Sequence, residues 1–104
     1  MAKFSCPYLN GKVELNKERE KHIAERHPDL LPAYRKCIAE TLADPDQVRR
    51  SARFGNALVF YRWFDEVRGG KFVAVVVITN ARHWIITAYI TGELSKGEIL
   101  WMRS

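Results

Sequence analysis

The chain has 104 residues, 47% of them hydrophobic and 28% charged, with 17 Lys and Arg against 12 Asp and Glu and a formal net charge of +5 at pH 7. That is the length of one domain, spanning 1–104, and the composition of a globular one, which excludes a second core and a disordered or repetitive chain. No apolar run approaches the roughly 18 residues of a membrane-spanning helix, so no membrane partner is expected.

The opening Met1-Ala2-Lys3-Phe4-Ser5-Cys6-Pro7 lacks the apolar stretch of a secretion signal, and a cytoplasmic location is expected. Val13-Glu14-Leu15 is a candidate edge strand. Asn16 before Lys17-Glu18-Arg19-Glu20 is a good helix N-cap, with carboxylates in the first turn where the helix dipole favours them. Pro28 ends that helix near Arg26 or His27, because the residue before a proline is pushed out of helical space. A second helix is predicted from Asp29 to about Ala43, where Leu30, Leu31, Tyr34, Cys37, Ile38, Thr41 and Leu42 recur at spacings of three and four; Asp44-Pro45 stops it.

After Pro45 the period becomes that of strands. Gln47–Ser51, Ala57–Asp65, Lys71–Asn80 and His83–Thr91 are rich in Val, Ile and aromatics, and the turns at Arg68-Gly69-Gly70 and Asn80-Ala81-Arg82 suit antiparallel hairpins. The expected fold is α+β, with two N-terminal helices packed on one face of a four-stranded antiparallel β-sheet meander. Lys96–Met102 reads either as a last strand or as a docking segment anchored by Trp101. Phe72–Ile78 is apolar on both faces and therefore central. In the last long strand Trp84, Ile86, Ala88 and Ile90 form the row expected to meet the helices, with His83, Ile85, Thr87, Tyr89 and Thr91 opposite. Arg62, mid-strand among apolar residues, needs a partner or a ligand.

Divided along the chain, the charge is uneven. Residues 1–46 carry eight Lys and Arg and eight Asp and Glu, and residues 93–104 carry two of each. The excess lies between 47 and 92, where Arg49, Arg50, Arg53, Arg62, Arg68, Lys71 and Arg82 face only Asp65 and Glu66. Such concentration suggests an anionic partner, nucleic acid first; the plainer reading is a set of solvated arginines guarding strand edges.

Cys6 and Cys37 are too few and too far apart for a disulfide framework or a CxxC site. His22 and His27 are five apart, without further ligands to complete a metal set, and neither nucleophile-elbow nor phosphate-loop nor dinucleotide motifs occur, so no metal and no cofactor are expected. The remaining polar residues suit metal-free phosphodiester chemistry. Cleaving RNA through its own 2′-hydroxyl requires a general base, a general acid and a cation for the charge on phosphate; histidine fills either proton-transfer role and arginine the third. Thr87 and Tyr89 could hydrogen-bond phosphate or stack a base.

His22-Ile23-x-x-Arg26-His27-Pro28-Asp29-Leu30, then Leu42-Ala43-Asp44-Pro45-Asp46-Gln47-Val48, Tyr61 and Ile86-Thr87-Ala88-Tyr89 together resemble the barnase–EndoU–colicin–RelE (BECR) nuclease superfamily, in its small phage-associated branch. The resemblance spans roughly residues 13–91, and its weight rests on the order and spacing of short motifs. It implies a metal-independent ribonuclease of toxin or phage-effector type. It places a catalytic polar residue at His22 with Arg26 and His27 beside it, another at Arg62 or Tyr61, and a hydroxyl at Thr87. The reading that results is an endoribonuclease with His22, Arg26, His27, Arg62, Thr87 and Tyr89 as catalytic candidates. RNA would lie on Arg49, Arg50, Arg53, Tyr61, Arg68, Lys71 and Arg82. An inhibitor or antitoxin protein is a further expected partner, on the exposed Trp and Tyr residues. The alternative is a non-catalytic RNA-binding or protein-interaction module, in which these groups need not share a cleft.

Overall fold

The computed structural model describes residues 1–104. Two helices lie on one face of a seven-stranded mixed sheet, which corrects the expected four-stranded antiparallel meander. The four expected strands form its middle: β3 (Gln47–Arg50), β4 (Ala57–Phe64), β5 (Lys71–Thr79) and β6 (His83–Thr91), each antiparallel to the next. An N-terminal hairpin, β1 (Ala2–Cys6) and β2 (Gly11–Leu15), extends the sheet beyond β6, and β7 (Ile99–Met102) extends it beyond β3, giving the order β1-β2-β6-β5-β4-β3-β7. The contacts that add these strands are remote in sequence. β2 joins β6 in parallel through Glu14 opposite Trp84 alone, and the pairing is reinforced by a two-point ion pair between the Arg82 guanidinium and the Glu14 carboxylate.

The first helix, α1 (Lys17–Arg26), begins as the sequence predicts: Asn16 Oδ1 accepts from the Arg19 N–H at 2.7 Å. The second, α2, covers only Arg35–Ala43, six residues shorter at its start than expected. Residues 28–34 form turns instead. Pro32 excludes Leu31 from helical space, and the turn drives the consecutive Leu30 and Leu31 both into the core, at 0% and 2% exposure, where a helix would fan them about 100° apart.

The main core of 19 buried residues lies between sheet and helices, with Val73, Val75 and Val77 of the central β5 as its floor and Ile23, Ile38 and Leu42 of the helices above. Each such side chain, fully buried, contributes about 1.5–3 kcal/mol. α2 packs on β1, β4 and β5, while α1 packs on β6. A smaller cluster of Ala57, Val59, Tyr61, Ala74 and Val76 sits on the opposite, open face. It is covered in part by the connection from β6 to β7, whose Leu94 packs on it. This crossover runs over the open face because three strands, β5, β4 and β3, separate β6 from β7.

The register shifts between β5 and β6: Val76 faces Thr87 but Val77 faces Ile85, leaving Ile86 as an extra residue. This bulge divides the expected rows. Ala88 meets the helices as predicted and Ile90 packs against the same core, but upstream of the bulge Ile85 takes the inward position. Trp84 is 41% exposed, and Ile86 packs against the open-face cluster.

Candidate functional site

Downstream of the bulge Thr87 and Tyr89 point to the open face, as the alternation along β6 predicts, opposite Val76 and Ala74 of β5; Ala74 in turn faces Tyr61 of β4. The small Ala74 lets the two phenols approach each other across β5. Tyr61 is fully buried beneath the crossover, where its hydroxyl shares a hydrogen bond with Ser95 Oγ and accepts another from the Ser95 N–H at 3.2 Å. The connection between β3 and β4 supplies the other wall. There Ser51 Oγ accepts the N–H groups of Arg53 and Phe54, each at 3.1 Å, and this local turn holds both side chains at the rim.

Between that turn, β6 and the crossover lies a cleft of about 210 Å³ lined by Arg53, Phe54, Thr87, Tyr89, Ser95 and Lys96, among others. Its charged lining residues are the cations Arg53 and Lys96. His27 closes α1 as its C-cap, with φ −130° taking the chain out of the helix and its N–H donating to Ile23 O at 2.7 Å. From there the half-buried imidazole meets Tyr89, ring centroids 5.9 Å apart. Burial, and then the neighbouring Tyr61 phenol, push the Tyr89 hydroxyl up to about 12, against the opposing pull of the Arg53 guanidinium. Tyr89 therefore holds its proton throughout the neutral range, as a donor and not a base.

The other expected residues lie elsewhere. His22 is exposed in a shallow groove on the outer face of α1, among Glu18, Arg19, Lys21 and Glu25. Arg26 is exposed beside His27. Arg62 is on the helix side of the sheet, not in the cleft. Its Nη1 donates to the Asp44 carbonyl at 2.6 Å and to Asp44 Oδ2 at 2.9 Å, its guanidinium lies 5.5 Å from the Phe64 ring centroid, and its buried Nε makes no hydrogen bond. The partner that a mid-strand arginine demands is thus the end of α2.

The basic segment is partly neutralised in the same way. Arg50 pairs with Glu98 at 3.2 Å, Arg68 with Asp29 at 3.1 Å and Arg82 with Glu14, so with Arg62 four of its seven cations bind carboxylates that lie outside residues 47–92. Arg49 donates to Gln47 Oε1 at 2.9 Å and to the Ser95 carbonyl at 2.6 Å, and Lys71 Nζ donates to the Gly70 carbonyl at 3.3 Å. Arg53 alone among the seven spends no side-chain donor inside the protein; its guanidinium rests 5.9 Å from the Phe54 ring centroid. The uneven charge seen in the sequence therefore stitches the sheet to its flanking segments and leaves its free end at the cleft.

Comparison with protein-family models gives no match, and comparisons with characterised proteins and with solved structures give none either.

Ser95, Lys96 and Phe54 belong to the cleft but escape a reading of the sequence. The first two arrive only through the long crossover, which has no local signal. Phe54 had one: a large aromatic beside an arginine in a Gly-Asn turn, where nothing apolar is required. Across the chain no three His, Cys, Asp or Glu side chains converge, and both thiols are buried in the main core, where burial pushes them up and out of reach of ordinary thiolate chemistry.

Proposed function

We propose that the protein is a metal-independent endoribonuclease of the BECR type, with the cleft beneath the crossover as its active site. The observation that carries this reading is the contact of the His27 imidazole with Tyr89, a residue that itself lines a cleft whose free charges are cationic.

Imidazole is the side chain that exchanges a proton near neutral pH, and His27 is the general base that takes the proton from a ribose 2′-hydroxyl. The resulting oxygen attacks the adjacent phosphorus, the bond to the 5′-oxygen breaks, and Tyr89 supplies the proton that this more basic leaving oxygen needs. Arg53 and Lys96 hold the phosphate as charge accumulates, with Thr87 donating from β6. The products are a 2′,3′-cyclic phosphate and a 5′-hydroxyl. His22 and Arg62 have no part in these steps. The partners that follow are cytoplasmic RNA and, for a toxin, a neutralising protein.

Purified protein with EDTA present is expected to cut RNA to cyclic phosphate ends. His27→Ala should lower the rate at least 100-fold, while His22→Ala retains it within about two-fold. Equal loss in both variants, or intact RNA with excess wild type, refutes the reading. A purely binding role is favoured by one observation, that His22, Arg26 and Arg62 do not line the cleft with Thr87 and Tyr89. In that case wild type and His27→Ala bind RNA equally and neither cuts it.

A further inference from the structure

The cleft holds one group for which the chemistry above has no use. Phe54 is 47% exposed, on a turn held by the Ser51 hydroxyl and by backbone hydrogen bonds through Ala57, and it lines the same cavity as Arg53, Thr87, Tyr89 and Lys96. An exposed phenylalanine adds nothing to a core, and the main cluster and the open-face cluster are both complete without it. The Arg53 guanidinium lies 5.9 Å from the Phe54 ring centroid and makes no side-chain hydrogen bond within the protein, which leaves it free to take an anion. A flat aromatic face beside an uncommitted cation is a pairing suited to a nucleotide, base on ring and phosphate on guanidinium.

We propose that Phe54 is a base-stacking residue and that the cleft takes single-stranded nucleic acid, with an unpaired base on the Phe54 ring and its phosphate between Arg53 and Lys96. The inference rests on the nuclease reading for the identity of the cleft, but not on catalysis. A base enters such a site only when it is free of its stack and pair, since in a duplex neither face is available to a side chain. Ser51 Oγ holds the backbone N–H groups of Arg53 and Phe54, so the turn that carries the ring is formed before the ligand arrives and side-chain ordering is what opposes binding. The same arrangement makes recognition tolerant of base identity, because every base presents a π-face whereas no side chain of this turn is committed to reading its edge.

The test uses a fluorescently labelled single-stranded oligonucleotide with 2′-O-methyl groups, which cannot be cut, and the same sequence as a duplex. Anisotropy should show the single strand bound at least ten-fold more tightly than the duplex. Phe54→Ala should weaken it about ten-fold or more, while Phe54→Trp keeps the affinity within about three-fold. Affinity unchanged in Phe54→Ala, equal binding of the duplex, or no binding by wild type overturns the proposal. RNA cleavage measured in parallel separates the two ideas. Cleavage with no effect of Phe54→Ala on either binding or rate removes the stacking residue and leaves the nuclease. Binding lost in Phe54→Ala, with no cleavage by wild type, removes the nuclease and leaves the stacking residue.

Discussion

Tyr89 offers a prediction that depends on the geometry of the cleft and not on any activity. Its hydroxyl is pushed from the ordinary tyrosine value of 10.0 to about 12, first by burial and then by Tyr61, and is pulled back by Arg53. At pH 10.5 an ordinary tyrosine is about three-quarters ionised and Tyr89 only about 3%. Tyrosinate absorbance near 295 nm, taken as the difference between wild type and Tyr89→Phe across pH 8–12.5, reports Tyr89 together with its influence on Tyr61. The two neighbours then act with opposite sign. Tyr61→Phe removes a contribution that raises Tyr89 and should move its midpoint down; Arg53→Ala removes the nearby positive charge and should move it up. Stability follows the same titration: it is unaffected below pH 10, then falls between about 10 and 12 as the unfolded chain ionises a phenol that the fold keeps protonated. A difference titration centred near 10, or shifts of the same sign in the two variants, would refute the placement of Arg53, Tyr61 and Tyr89 around one cleft.

Two further outcomes concern the scaffold. Gly97 in the crossover has φ +150°, and a Cβ there would come to 2.3 Å from the Arg50 carbonyl oxygen, so Gly97→Ala should destabilise by about 1–3 kcal/mol and lower the melting temperature by roughly 5–20 °C; a change under 2 °C would contradict the close approach of crossover and β3. The Arg62 and Arg103 guanidinia hold the Asp44 carboxyl below the usual carboxylate value, and Arg82 does the same for Glu14, so these groups add stability above their ordinary values that is lost as pH falls through the lowered ones. Denaturant midpoints from pH 6 to pH 2 should therefore fall less steeply in Asp44→Asn and in Glu14→Gln than in wild type, and parallel curves would show that the ion pairs carry no such linkage.

The parts of the fold that were legible are those with dense local signals. Asn16 announced α1, and the β-branched run Val73-Ala74-Val75-Val76-Val77 announced a central strand buried on both faces. The strands that escaped or were left open, Ala2–Cys6 and Ile99–Met102, are short and lie at the sheet edges, where the contacts that stabilise them are set by pairing with β2 and β3 and not by their own period. The bulge at Ile86 is invisible because Trp84, Ile85 and Ile86 are consecutive apolar residues, any of which suits the core side. Of the candidate residues, His27 meets Tyr89, which shares a cleft with Thr87, whereas His22 and Arg62 lie elsewhere. Arg62 was readable as a residue needing a partner, but the choice between ligand and helix end depended on its face of the sheet. The charge excess was read as a surface, whereas long-range ion pairs, with partners 18 to 68 residues away, consume most of it.

The crossover has one more consequence, for the order in which the protein becomes complete. Synthesis proceeds from the N-terminus, so β3 to β6, α1 and the Ser51 turn are all made before Ser95 and Lys96. Until the crossover emerges and lies down, Tyr61 has no hydroxyl partner, the open-face cluster is uncovered and one wall of the cleft is missing. The cleft is thus assembled from segments far apart in the chain, and the wall that carries Ser95 and Lys96 is the last of them to be made.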